Sequence, residues 1–179
     1  MKYETIVNQP VIPTERFDLR PLRNSDAGLI ALNAGDIRVA RCTSSIPHPL
    51  PPGATEALIA RAQVEDRAED VWAIDGSRSG ASEVMGLISL MRVDEGQSEI
   101  SYWVAPAYWN AGVASAAVEA LLAANPHGAR TIFASVFQDN AASARVLTNC
   151  GFQYLGDAEA FCVARNATVP TWTYSRKAK

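Results

Sequence analysis

SEISYWVAPAYWNAGVASAAVEALL, residues 98–122, is the stretch whose reading decides the fold. Its first part, SEISYWV (98–104), reads as a strand. Alternation puts Glu99, Ser101 and Trp103 on one face and Ile100 and Tyr102 on the other. Ala105-Pro106 stops it, since proline has no N–H to offer a ladder. A run of small residues follows, and an Ala-rich helix carrying Val113, Val118, Leu121 and Leu122 is expected over 112–124. TIFASVF (131–137) is the next strand, so the segment is a β–α–β unit whose two strands run parallel. A helix that begins near Gly112 presents unpaired N–H groups and the positive end of its dipole, which suits a diphosphate. The small side chains at Asn110, Ala111, Gly112 and Ala114 let the backbone approach such an anion. An ordinary strand–helix turn is the other reading, because every β–α–β unit has one.

Upstream, RFDLRPLR (16–23) alternates apolar and charged residues as a strand over 15–22, and Asn24, Ser25 and Asp26 offer caps for a helix from Leu29 to about Ile37. SIPHPLPPG (45–53) holds four prolines and is an irregular loop. An amphipathic helix is expected from Thr55 to about Ala68. Strands are expected over 71–75, 83–93 and 98–104, forming an antiparallel meander. Downstream, Asn140 caps a short helix to about Asn149, Gly151 ends it in the left-handed manner, and strands over about 152–156 and 160–175 close the chain. The expected order is β–α–α–β–β–β–α–β–α–β–β, one α/β domain over 1–179.

The chain has 179 residues, 48% hydrophobic and 20% charged, with a net charge of −3. No overall positive field draws it to nucleic acid or an anionic membrane, so an anionic ligand must be held locally. Cys42, Cys150 and Cys162 form no C-x-x-C pair and are odd in number, which favours reduced thiols in a cytoplasmic protein. His48 and His127 are the only imidazoles, and with no Cys/His cluster no metal site is expected. MKYETIVNQPVIP (1–13) has no basic region followed by an apolar run, and no stretch reaches the ~18 apolar residues a membrane span needs. Neither G-x-x-x-x-G-K-[ST] nor G-x-G-x-x-G follows a strand, which argues against an NTPase or a dinucleotide oxidoreductase.

The run 98–122, followed by NAASARVLTNCGF (140–152), resembles the GNAT acetyltransferase superfamily. It is most similar to the RimJ/RimL branch of ribosomal-protein N-terminal acetyltransferases. That branch reads E-I-G-Y-W-V-x-P-x-Y-W-G-x-G-Y-A-T-E-A and later N-x-x-S-x-x-V-L-x-x-x-G-F. The opening RFDLRPLRNSDAGLI and the proline loop resemble it too, and the likeness spans about 14–175. Asn110 stands where a glycine is usual, Ala111 where a long polar residue is common, Val113 for an aromatic and Ala116 for a glutamate. Asparagine tolerates unusual backbone angles, so the turn survives.

The resemblance implies a mixed, mostly antiparallel sheet with splayed central strands flanked by helices, acetyl-CoA as co-substrate and an amine acceptor. Backbone at Tyr102, Trp103 and Val104 would pair with the pantetheine amides. Asn110, Ala111, Gly112, Val113, Ala114 and Ser115 would hold the pyrophosphate, with Asn140 and Arg145 as further cofactor contacts. Asn140 also reads as a helix cap and Arg145 as a surface arginine. Glu99 is the candidate base and Ser143 the candidate acid for the departing thiolate. Glu159 and Tyr154 are their substitutes. For Glu99 a cross-strand ion pair, and for Ser143 a bond back to its own helix, are the structural alternatives. Tyr108 and Trp109 wall the loop or pack, Cys150 is a small buried residue, and His48 lies in a surface loop. The acceptor is the α-amine of a protein or peptide, or else a small amine, amino acid or antibiotic. A non-catalytic acyl-CoA sensor of the same fold is the rival reading, and a monomer or homodimer is expected.

Overall fold

A computed structural model describes residues 9–178. The reading of the N-terminal stretch as carrying no leader rests largely on residues 1–8 and lies outside the described residues. Eight strands form one sheet: β1 (Ile12–Pro13), β2 (Asp18–Pro21), β3 (Glu69–Asp75), β4 (Gly86–Asp94), β5 (Gln97–Val104), β6 (Thr131–Phe137), β7 (Gln153–Cys162) and β8 (Ala167–Lys177), in the order β1-β2-β3-β4-β5-β6-β8-β7. All neighbours are antiparallel except β5 and β6, which run parallel. Five helices flank the sheet: α1 (Ala27–Ala34), α2 (Ile37–Ala40), α3 (Ala54–Ala62), α4 (Val113–Ala124) and α5 (Ala141–Asn149).

The pleat divides the core in two, because alternate residues of each strand face opposite ways. On one face Trp72, Ile74, Ile88, Leu90, Ile100 and Ile132 pack with Val113, Leu121 and Leu147 of α4 and α5. On the other, Val71, Ala73 and Leu87 meet Ile30 of α1 and Ile59 of α3. Arg20 of β2, buried, joins these layers. It gives its Nε to Asp75 at 2.6 Å and its terminal nitrogens to Asp26 at 2.9 Å. A second polar clamp links β3, β5 and the α4–β6 loop: Ser98 Oγ lies 2.9 Å from His127 Nδ1, and His127 Nε2 lies 2.7 Å from Asp70 Oδ2. Ser98 is 1% exposed, so this chain of three groups ties the sheet together rather than facing a reactant.

Several boundaries differ from the sequence reading. The first helix ends at Ala34, and a second, α2, starts after Asp36, whose Oδ1 accepts from the Arg38 N–H at 2.9 Å. The helix expected to Ala68 stops at Ala62, where the last turn tightens with the Gln63 N–H giving to the Ala60 carbonyl at 3.2 Å, and Arg67 Nε then lies 2.7 Å from Asp70 Oδ1 at the start of β3. The last hairpin turns at 163–166, where Asn166 has φ 49, and not at 157–159. Residues 157–159 continue β7 in regular register with 170–172, and a bulge just before them shifts the register between Tyr154 and Gly156. The strand β1 carries no periodic signal at two residues and was not expected.

Candidate active site

β5 and β6 pair only through Gln97↔Thr131, Ser98↔Ile132 and Glu99↔Phe133. Beyond that rung β5 stays with β4 up to Val104, while β6 stays with β8 up to Phe137. The two parallel strands therefore separate into a wedge whose apex is at Glu99. Backbone groups of β5 beyond Glu99 have no strand partner on the β6 side.

At the open end of β5 the chain turns at Pro106 and reaches α4. Asn110 and Gly112 both take left-handed backbone, φ 60 and φ 74. Asparagine and glycine are the residues that adopt this conformation at least cost. The turn aims the start of α4 outward. No side chain caps this helix, and its first bond is from Ala116 N–H to the Gly112 carbonyl at 3.1 Å. The amides of Val113, Ala114 and Ser115 are thus left to an external acceptor. Arg16, from the turn between β1 and β2, gives Nη1 to the Ala111 carbonyl at 2.7 Å. Trp109 folds back over the strand end and gives its indole N–H to the Val104 carbonyl at 2.7 Å. The Arg38 guanidinium lies 5.7 Å from the centre of its ring.

Tyr102 crosses the wedge on the α5 side. Its hydroxyl is 2.9 Å from Ser143 Oγ and 3.2 Å from the Ser143 carbonyl oxygen. Burial pushes the phenol up to about 12, so it stays protonated at neutral pH. Ser143 sits in the first turn of α5, with its amide giving to Asn140 Oδ1 at 3.3 Å. Its hydroxyl bonds to β5 and not back to its own helix. Glu99 projects from the opposite face of the sheet, on one row with Met91 and Glu69. Burial raises its pKa above the ordinary carboxylate value, and no hydrogen bond or ion pair engages it among the described residues. Glu69 is raised as well, by burial and by the nearby Glu99, although Arg61 opposes this.

A family model described as an acetyltransferase (GNAT) domain matches residues 16–153. The chain belongs to the GNAT acetyltransferase family. No curated protein sequence matches it. Among solved structures, the microcin self-immunity acetyltransferase MccE in complex with acetyl-CoA and AMP aligns with TM-score 0.78 at 14% identity, covering 92% of this chain and 93% of that one. RimL, a ribosomal alpha-N-protein acetyltransferase in complex with coenzyme A, aligns with TM-score 0.76 at 16% identity, covering 94% and 98%. Spermidine N-acetyltransferase from Vibrio cholerae, in complex with CoA and spermine, aligns with TM-score 0.76 at 17% identity, covering 92% and 97%. These likenesses are of fold. The GNAT sheet and flanking helices are those the motifs implied, and acetyl-CoA is the co-substrate. Among the described residues no group of three or more His, Cys, Asp and Glu is placed to hold a metal, and no helix is long and apolar enough to cross a membrane.

Within this GNAT frame the residues singled out from sequence fall into three groups. Tyr102, Trp103, Val104 and the loop 110–115 line the wedge and its mouth, with Ser143 and Asn140 across from them on α5. The Val104 carbonyl is already taken by Trp109, and Trp103 faces Leu87 of β4 with its backbone, which leaves Tyr102 the freer backbone on the open side. Glu99 stands at the apex on the other face. The rest lie apart. Arg145 is exposed on α5 with no side-chain partner among the described residues, and Glu159 is exposed on β7, three strands from β5. Tyr154 gives its hydroxyl to Asp157 on that same edge strand. His48 is exposed in the proline loop, Tyr108 accepts from the Ser82 amide at 3.0 Å, and Cys150 is buried. Sequence reasoning missed Arg16 and Glu69. Glu69 was readable in principle, since extending the 71–75 strand by two residues puts it on the face of Val71 and Ala73.

Proposed function

We propose that this chain transfers an acetyl group directly from acetyl-CoA to the α-amine of a protein or peptide, as an enzyme of the RimJ/RimL kind. One observation carries the reading: the parallel pair opens immediately after Glu99, with free helix amides at one end of the opening and groups of different chemistry on its two faces. The thioester is already activated, so the chain has three tasks: to hold it, to take a proton from the amine, and to offer one to the thiolate. The unpaired edge of β5 at Tyr102, with the Val104 N–H beyond it, is suited to the pantetheine amides, and the amides of Val113, Ala114 and Ser115 to the diphosphate. Glu99, without an ion-pair partner, is suited to take up a proton directly or through water. Ser143, held by Tyr102 across the wedge, is suited to offer a proton to the leaving sulfur. An α-amine, with a pKa of about 7.7–8, keeps a sizeable neutral fraction at about pH 7.5, whereas a lysine at about 10.4 is neutral only about one time in 10³. One half-buried carboxylate is enough for the former.

The test is thiol release from acetyl-CoA across a panel of peptides with free N-termini, polyamines, amino acids and aminoglycosides. Turnover on peptides supports the reading. Turnover confined to polyamines or other small amines replaces the acceptor and keeps the chemistry. Coenzyme A binding with no turnover on any amine makes the chain an acyl-CoA sensor, which the substitutions at 110, 111, 113 and 116 would then explain. Ser143→Ala is expected to lower kcat by about 100-fold while coenzyme A still binds.

A further inference from the structure

Arg16 reaches the loop at position 111, where the resembled pattern commonly has a long polar residue. Position 111 is alanine here, so its side chain cannot reach an anion, and the net charge of −3 supplies no general attraction. The turn between β1 and β2 is rigid for its size. Thr14 Oγ1 gives to the Phe17 carbonyl at 2.7 Å and accepts from the Arg16 and Phe17 amides at 3.2 and 3.1 Å. Phe17 is fully buried in the same core cluster as Val113, which pins the turn against the start of α4. The Arg16 guanidinium ends 3.5 Å from where a Cβ on Gly112 would stand, over the left-handed turn that exposes the helix amides. One of its nitrogens holds the Ala111 carbonyl. A guanidinium carries five donors, and no carboxylate pairs with this one among the described residues. The remaining donors are exposed at the Ala111–Gly112 turn, directly ahead of the amides of Val113, Ala114 and Ser115 in the chain.

We infer that Arg16 is a donor-binding residue, delivered from outside the loop, whose charge meets the diphosphate of acetyl-CoA and replaces the side chain missing at position 111. The inference rests on the acetyl-CoA reading above. It makes Arg16 both a brace for the loop, through the Ala111 carbonyl, and a charged contact for the anion. Charge-assisted bonds to phosphate are about twice as strong as neutral ones, and the fork geometry of arginine suits them.

Calorimetry with coenzyme A on the full chain tests this, alongside kinetics with acetyl-CoA and with S-acetylpantetheine, a thioester donor without the diphosphate. Arg16→Ala is expected to weaken coenzyme A by about tenfold or more and to raise the KM for acetyl-CoA. The KM for the amine and turnover of S-acetylpantetheine should stay at wild-type values. Arg16→Gln keeps an amide for the Ala111 carbonyl but no charge, and should bind as weakly as Arg16→Ala. Arg16→Lys should recover part of the loss. Wild-type affinity in Arg16→Gln would make the residue a brace alone and overturn the inference. So would an unchanged Arg16→Ala, or an equal defect with S-acetylpantetheine. Should Arg16→Ala melt early, the Gln and Lys variants carry the same comparison. A wild-type chain that does not bind coenzyme A overturns the donor reading itself, and this inference with it.

Discussion

The carboxyl of Glu99 is raised by burial, without a cationic partner. Folding therefore favours its neutral form, and the sign of the pH effect follows. Below the ordinary glutamate value both folded and unfolded states are protonated and the residue is no burden. As pH rises through the raised folded value, the folded state must carry a partly desolvated charge and loses stability. Glu99→Gln should thus match wild type in acid and melt at a higher temperature at neutral pH, which thermal scans at the two pH values would check. A wild type that is the more stable at neutral pH would mean that Glu99 has an ion-pair partner after all. The same substitution should lower kcat by about 100-fold and remove the acidic limb of the pH–rate profile. As candidates both residues were legible, since E-I-x-Y-W singles out Glu99 and N-x-x-S singles out Ser143. Their partners were not: Tyr102 meets Ser143 over a separation of 41 residues, and no local signal encodes that contact.

The start of α4 is a designed-looking element in which every choice agrees. Proline ends β5, Asn110 and Gly112 turn left-handed, and no side chain competes for the first amides. Gly112→Ala forces a Cβ into φ 74 and should cost about 1–2 kcal/mol in urea unfolding, with weaker coenzyme A binding because the amides are re-aimed. At α5, Asn140→Ala removes the acceptor for the Ser143 amide and should cost about 1 kcal/mol, a loss that calorimetric melting would register. The junction of β2, β3 and the approach to α1 is more demanding. Arg20→Met leaves Asp26 and Asp75 facing each other in a buried site, where removing one partner typically costs about 3–5 kcal/mol. Denaturant unfolding should show that loss, and a change below about 1 kcal/mol would mean that water already reaches the trio. Boundaries at this scale were only partly readable. Gly156-Asp157 reads as a turn in sequence but continues the strand just past a bulge, while the real turn at Asn166 is marked by a single asparagine among residues that carry no turn signal.

Across the whole sheet, Asp70 is the acid-sensitive clamp. Burial pushes its carboxyl up, but His127, Arg67 and Arg92 more than offset this and hold it below its ordinary value of 3.8. A lowered carboxylate contributes stability above its unfolded pKa and loses it as pH falls through the folded one. Asp70→Asn should therefore cost about 1.5–3 kcal/mol at neutral pH, and the gap to wild type should close below pH 3.8 in acid-unfolding curves. By itself the sequence determined the β–α–β unit, the meander before it and the small, left-handed-tolerant residues that lead into α4, and it named the candidate groups for a donor and an amine. Those features follow from alternation, proline, glycine and capping, which act over a few residues. Only the tertiary structure decided the strand order, the parting of β5 and β6 after a single shared stretch, the opposite faces of Glu99 and Ser143, and the arrival of Arg16 at Ala111. Each of these depends on which distant segments pair and pack, and a strand's hydrophobic pattern says which face it buries without saying which neighbour it keeps.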